Sequence, residues 1–526
     1  MSLRRAPLLL AAVASAALVV GASGLVGAQG ATVGWSNVGN QIQGWRYSPL
    51  TQINTNNVTQ LKQAWRFNTN IGTGGIEGTP LVIGNTAYVT TGFNHVFALN
   101  ATTGQELWAF DPKDGLEVAC CGPDARGLAY HDGTLYMLTL DDRLIALDAA
   151  TGAVKWQVYV ASAKNGVAET AAPLYYDGNI YIGSSGSELG IRGFEEARSA
   201  TTGKLKWIFY TVPARNKGWL KLNHGIGGGT VWNNPVINPQ TGLLYIGTAN
   251  PAPLFYGLNR PGPDHWTDAI VALNAATGKF VWAFSTVPHD MWDYDDSSNP
   301  VLFPTGDGGM GVGEAGKSGY WWEFTANNGQ LLASPLCFVV CVHNTPPPLK
   351  GTVTVNSAGN VWSPSGYDPQ TGDAIVEGQV AMIGLSASAK GDTYQQGKLV
   401  TYFGSNFHPL KKPATGTITA INVNNGTMDW QTKISSPSIG APAETAGGLI
   451  FAANSEVGQF LALDAKTGKI LWSNSPGSGI DAGAAVYEVN GKEYVLVGIG
   501  GGGIYPNRGA LAKHPVYAFV AYSLPN

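Results

Sequence analysis

The sequence predicts an all-β chain, an eight-bladed β-propeller of four-stranded blades, and three observations predict it. The first is composition. Only 13% of the 526 residues are charged, against ~25% in ordinary globular proteins, while glycine reaches 70 and aromatic residues 10%. Coiled coils, helical solenoids and disordered chains need more charge and less glycine. The second is an internal repeat. It reads ALNATTGQELW (98–108), ALDAATGAVKW (146–156), SATTGKLKW (199–207), ALNAATGKFVW (272–282), AINVNNGTMDW (420–430) and ALDAKTGKILW (462–472). A weaker copy is EFTANNGQLLA (323–333). The third is the offset: in every copy a glycine stands four residues before the tryptophan position.

Each part of the repeat has a mechanical reading. An apolar strand ends at Asn or Asp, whose side chain bonds nearby backbone. Thr-Gly or Asn-Gly then supplies the positive φ of a tight turn, and a new strand begins. The tryptophan packs its face against the neighbouring unit, and fixed-period β units with a periodic aromatic mean a propeller. Trp65, in LKQAWRF, opens the series without a motif before it. After Trp472, VYEVNGKEYVLVGIG and PVYAFVAYS supply strands, and no further turn motif follows. The Trp65 strand is therefore expected to complete the last blade. That pairing of the chain ends closes the ring and removes exposed strand edges. The intervals 207–282 and 333–430 are much longer than the rest. Their excess is expected in loops, where function concentrates.

Residues 1–28 read as an export signal outside the fold, leaving a single propeller domain over 29–526. Arg4 and Arg5 precede an apolar run from Ala6 to Val20, and Val26-Gly27-Ala28 fits a cleavage site. The run is short for a membrane span. This places the chain in an oxidising compartment, the periplasm, where disulfides persist. A formal net charge of −4 without basic runs argues against a nucleic-acid partner.

Chemistry is expected from residues outside the repeat. Cys120 and Cys121 are adjacent in VACCGPDARGLAY. They pair either with each other, as a strained ring with a flat face suited to a planar cofactor, or with Cys337 and Cys341. Cys337 and Cys341 also read as a local loop disulfide, and their spacing from His343 is wrong for c-type haem. Glu188, Asn250, Asp293 and Asp295 form an oxygen-donor set suited to a hard cation. Asp-x-Asp on a strand would place both carboxylates on one face. Singly, each of these four residues is better explained as a turn or strand-end residue capping backbone, so only the propeller, by bringing loops to one axis, makes them a site. Glu77, Arg126, Thr170, Ser185, Thr230, Trp232 and Lys317 would suit a planar polyacid. Trp232 falls outside the turn-motif offset, which sets it apart from the packing tryptophans.

With these residues on the page, the chain resembles the pyrroloquinoline quinone (PQQ) alcohol dehydrogenases, the methanol dehydrogenase large-subunit group. The resemblance covers nearly the whole chain after residue 28. It runs through RYSPLTQINTNNVTQLKQAW, GTPLV, CCGPDARGLAY, GSSGSELGIRG, GGGTVW, GTANPAP, PHDMWDYD and GSGIDAGAAVYEVNGKEYV. It implies a disulfide between Cys120 and Cys121 over one face of PQQ and Trp232 beneath the other. Glu77, Arg126, Thr170, Ser185, Gly186, Ser187 and Thr230 would hold its carboxylates and ring edge. Lys317 would touch the quinone oxygens, and Asn406 is a looser match to a quinone-contacting asparagine. Glu188 and Asn250 would bind the metal, and Asp293 would be the catalytic base. Asp295 stands where lanthanide-dependent members carry an extra carboxylate, so a lanthanide(III) ion is expected over Ca²⁺. Ile439 departs from the methanol dehydrogenases, which place a tryptophan there beside the substrate.

The implied activity is oxidation of an alcohol to an aldehyde or ketone, with a soluble cytochrome c as electron acceptor. Stable membrane insertion is not expected, and oligomeric state, a homodimer included, is left open. Two rivals remain at this level. One is a PQQ enzyme acting on a sugar or polymeric alcohol with calcium. The other is a non-catalytic repeat propeller used as a scaffold.

Overall fold

The chain was analysed as a computed structural model. It describes residues 32–525 except 72–73, 115–121, 163–164, 215–226, 253, 255–259, 261, 297, 342–352, 357–358, 386–406, 410–412, 502–510 and 512. Among them, helix is limited to short 3-10 turns, and no helix is long and apolar enough to cross a membrane.

Eight sheets carry four antiparallel strands each, as the repeat predicts, and one of them also takes a short parallel strand, Tyr47–Ser48, beside Ala443–Thr445. Blade one runs from Leu81–Ile83 to Glu106–Phe110, blade two from Ala129–His131 to Val154–Tyr159, and blade three from Leu174–Tyr176 to Leu205–Tyr210. Blade four spans Val236–Asn238 to Phe280–Ser285, and blade five Val301–Pro304 to Leu336–Cys337. Blade six spans Gly366–Asp368 to Thr427–Ile434, and blade seven Ala443–Thr445 to Ile470–Asn474. Blade eight takes Ala485–Val489, Lys492–Ile499 and Ala518–Ser523 from the C-terminal end and Lys62–Asn68 from the N-terminal end. Trp65 pairs with Ala521 across that closure, so the ring has no free edge there.

The joints between blades follow one rule. The tryptophan on the outer strand lies under the turn glycine of the next blade: Trp65 under Gly104, Trp108 under Gly152, Trp156 under Gly203, Trp207 under Gly278, Trp282 under Gly329 and Trp430 under Gly468. A Cβ on any of these glycines would collide with the indole, and each glycine has a positive φ. The indole N–H groups of Trp65, Trp207, Trp282 and Trp430 donate to Ala101, Ala275, Ala326 and Ala465 carbonyls at 3.0, 2.9, 2.8 and 2.9 Å. Where the repeat lacks its tryptophan, Ala333 fills the place against Gly426. Trp472 has no turn motif above it and packs edge-on against Tyr522 instead.

Up-and-down blades fix which loops meet. In a four-stranded antiparallel sheet the connection between strands two and three leaves from the same end as the connection to the next blade. The Thr-Gly turns join strands three and four, so they leave from the opposite end. Among the described residues, the non-repeating site candidates lie on the first kind of connection. The two long intervals hold small extra sheets: Gly227–Gly228 with Pro251–Ala252, and Val353–Asn356 with Met382–Leu385 and Phe407–Pro409.

Candidate active site

Residues from the connections before blades one to three, and within blade three, form one polar chain. Glu77 precedes blade one and Arg126 precedes blade two; their side chains pair at 3.0 Å and are almost fully buried. Arg126 donates to Thr170 Oγ1 at 2.8 Å, and Thr170 Oγ1 shares a 2.8 Å hydrogen bond with Ser185. Arg126 Nε is buried with no hydrogen-bond partner. Asp124 sits 3.8 Å from the same guanidinium. Burial raises the Asp124 carboxyl well above its usual range, and Glu77 adds to the rise against the pull of Arg126. Gly186, at φ +113°, starts the 3-10 turn Ser187–Leu189, and a Cβ there would strike the Gly166 carbonyl. Ser187 and Thr230 share a 2.8 Å hydrogen bond across to blade four.

Trp232 links this chain to a second group. The Arg126 guanidinium lies 4.9 Å from the centre of its ring, and Lys317 Nζ lies 5.9 Å from it. Lys317 sits in the turn between strands two and three of blade five, Met310–Ala315 and Tyr320–Thr325. Its ammonium is 2.8 Å from Asp295 and 3.2 Å from Asp293. Asp295 also accepts the Asn250 backbone N–H at 2.6 Å. Asn250 Oδ1 and Asp293 Oδ1 are buried without hydrogen-bond partners.

The electrostatics are unbalanced toward the negative. Burial raises the Glu188 carboxyl, and Asp295 raises it further. Burial also raises Asp293 well above its usual range; Lys317 pulls it down, and Asp295, Glu188 and Asp290 push it up. Burial would lower the Lys317 ammonium, but Asp293, Asp295 and Glu188 outweigh that and raise it. One ammonium thus pairs with two carboxylates and feels a third, Glu188, while Asn250 Oδ1 and one oxygen of Asp293 stay unspent in a low dielectric. This donor chemistry fits a hard cation of high charge. Among the described residues, no three His, Cys, Asp or Glu side chains already stand as a metal cage. Lys317 lies between two of the carboxylates, and the Asn250 donor is an amide.

Two expectations need correction. Asp293 and Asp295 do not ride a strand. They follow strand four of blade four in an irregular turn, and Asp293 takes φ +70°. Asp290 builds that turn: its carboxylate accepts the N–H groups of Trp292, Asp293 and Tyr294 at 2.9, 3.0 and 3.2 Å. Three donors on one buried carboxylate explain how a non-glycine residue holds a left-handed conformation. The open alternative for the cysteines also narrows. Cys337 and Cys341 are disulfide-bonded to each other, so neither pairs with Cys120 or Cys121. Cys120, Cys121 and Asn406 lie outside the described residues.

Sequence reading missed Asp290 and Trp362. Trp362, just before blade six, also has its ring centre 5.7 Å from the Arg126 guanidinium. It packs with Val361 and the fully buried Ile439, and Trp232 borders the same cluster. The criterion that singled out Trp232, a tryptophan off the turn-motif offset, applies equally to Trp362 in NVWSPSGYDPQTG.

Comparison with known proteins agrees with this geometry. Residues 35–334 and 343–495 match the PQQ family described as the glucose/ethanol/alcohol dehydrogenase β-propeller domain. The chain is 32% identical to the dehydrogenase subunit of the quinone alcohol dehydrogenase of Gluconobacter oxydans, over 90% of this chain and 71% of that one. It is 32% identical to a lanthanide-dependent methanol dehydrogenase of Methylacidiphilum fumariolicum, over 87% of this chain and 83% of that one. A europium-containing methanol dehydrogenase superposes with TM-score 0.82 at 28% identity, over 94% of this chain and 98% of that one. The non-catalytic scaffold reading falls with these matches. The chain belongs to the PQQ-dependent alcohol dehydrogenases and is an oxidoreductase acting on alcohols.

Proposed function

We propose that this protein is exported to the periplasm and oxidises an alcohol to an aldehyde or ketone with a lanthanide ion beside its PQQ. The observation that carries the metal reading is the pairing of Asp293 and Asp295 with a single ammonium, within the electrostatic reach of Glu188 and beside the unspent Asn250 Oδ1. Three carboxylates leave negative charge that Lys317 alone does not offset, and a trivalent ion suits that excess better than a divalent one. The named relatives that carry a lanthanide or europium support the same choice.

When bound, PQQ supplies the two-electron acceptor for the alcohol's carbinol hydrogen, and a soluble c-type cytochrome carries the electrons onward. Arg126, Glu77, Thr170, Ser185, Gly186, Ser187 and Thr230 would hold the cofactor's carboxylates and edge. Trp232 and the Cys120–Cys121 pair would flank its two faces. Lys317 keeps its proton and directs its ammonium at the reacting end. Glu188, Asn250, Asp293 and Asp295 would hold the metal. Asp293 Oδ1, which has no hydrogen-bond partner, takes the hydroxyl proton of the alcohol. Ile439, Val361 and Trp362 supply an apolar wall that excludes water and selects for the substrate's carbon skeleton.

Reconstitution of the metal-free protein with PQQ and either La³⁺ or Ca²⁺ tests the reading, assayed on small, branched and aromatic alcohols and on sugars. Full activity with calcium and no gain with lanthanum would reject the metal. A preference for sugars would reject the small-alcohol substrate.

A further inference from the structure

The Cys337–Cys341 disulfide lies directly behind the turn that carries Lys317. Strand Leu336–Cys337 pairs with strand three of blade five, placing Cys337 opposite Tyr320. Phe338 N–H donates to the Gly319 carbonyl at 3.1 Å, and Cys341 Sγ lies against that same oxygen. Gly319 has φ +83°, and a Cβ there would meet Val339 Cγ2, the Val340 carbonyl and Cys341 Sγ at 2.9, 3.1 and 3.2 Å. The disulfide loop therefore fits the turn without a gap.

The loop is itself anchored. The Phe338 side chain is buried in the core shared by blades five and six, and Gln431 donates to its carbonyl at 2.6 Å. Asn356 donates to the Val340 carbonyl at 3.1 Å. The other side of the turn is held equally closely. Gly359 N–H donates to the Lys317 carbonyl at 2.8 Å, and Asn360 N–H to the Gly316 carbonyl at 3.1 Å. Lys317 N–H in turn donates to the Asp295 carbonyl at 3.0 Å. A four-residue turn thus stands in a vice whose outer jaw is a five-residue disulfide loop. Cys337 itself is exposed.

We propose that the Cys337–Cys341 loop is a positioning element for Lys317, holding its ammonium where Asp293 and Asp295 meet. The covalent link keeps Val339 and Val340 pressed on Gly319, and that pressure sets the height of the turn. Opening it lets the turn relax outward, away from the carboxylates. The proposal rests on the reading that Lys317 serves the reacting end of the site.

The test compares four loaded enzymes: wild type, C337S/C341S, K317A and the triple variant. Substitution is used because a reductant would also open any disulfide between Cys120 and Cys121. Expected for the serine pair is faster hydrogen exchange in residues 316–319, a kcat lower by on the order of tenfold and a weaker affinity of the cofactor-free protein for PQQ, read by tryptophan fluorescence. In the K317A background the serine pair adds no further loss, because both changes remove the same placement. Additive losses, or unchanged exchange at 316–319, overturn the proposal. A K317A enzyme with wild-type turnover and PQQ affinity overturns the site reading beneath it, whatever the serine pair does. If the serine pair does not fold, V339A, which removes the methyl that fills the space over Gly319 and keeps the disulfide, carries the same predictions in reduced size.

Discussion

The rim of the ring and its axial site end are made from the same eight sheets but solve opposite problems. At the rim, each joint buries an indole under a glycine and gives its N–H a carbonyl, as Trp282 does with Gly329 and Ala326. Groups there are neutral and satisfied, and the joint repeats. At the site end, carboxylates crowd one ammonium, and Asn250 Oδ1, Asp293 Oδ1 and Arg126 Nε are buried without partners. Nothing there repeats. The difference teaches where each kind of free energy is spent: the rim makes the ring stable, and that stability tolerates an axial cluster that would destabilise a smaller fold.

Variants that touch one region and not the other sharpen the contrast. The largest effect is expected from D293N. It keeps the shape of the side chain and removes the proton acceptor, so turnover should fall by on the order of 10³-fold while PQQ stays bound. A near-normal rate would remove Asp293 from the chemistry. R126A comes next. It strands the buried Glu77 carboxylate and leaves the Thr170 hydroxyl with Ser185 alone, and PQQ affinity should weaken by on the order of 100-fold in a titration of cofactor-free protein. An unchanged titration would break the reading of Arg126 as a carboxylate clamp.

A rim change should show the reverse pattern. W282A should lower unfolding free energy by about 3–5 kcal/mol in denaturant titration while leaving kcat and KM of the folded enzyme as they were. Lost activity in the folded fraction would mean that the two regions are coupled after all. The smallest effect is a pH dependence. Burial, with help from Asp141, pushes the Asp142 carboxyl up to about 8. The folded chain therefore keeps a proton there that the unfolded chain has already released above ~4. Stability from this group is full below that value and is lost as pH rises through about 8. D142N should flatten this slope, gaining melting temperature at pH 8 and nothing at pH 4. Its backbone, at φ +66°, suits asparagine as well as aspartate. A parallel pH profile for both proteins would refute the assignment.

Sequence and structure divide the explanation at identifiable residues. The tryptophan offset and the Asn-x-x-Thr-Gly pattern are local, because turn geometry and strand polarity act over a few residues. They were enough to give eight blades, the closing role of the Trp65 strand and the weaker copy of the repeat that ends at Ala333. Glu188, Asn250, Asp293, Asp295 and Lys317 were legible as residue types with unusual chemistry outside the repeat. Asp290 was not, because its role is to fold the turn under Asp293, and only backbone geometry reveals the three N–H groups it gathers. Trp362 was hidden by the abundance of packing tryptophans.

By itself, then, the sequence determined the architecture and the list of groups able to do chemistry, since periodicity and side-chain type are properties of the linear chain. Only the tertiary structure decided which of those groups share one charge environment. That outcome depends on connections from six blades reaching a common end of the ring, on burial that raises Asp293 and Glu188 together, and on a disulfide loop pressed behind Lys317. Electrostatic coupling depends on distance through space and on local dielectric, and neither is written in the order of residues.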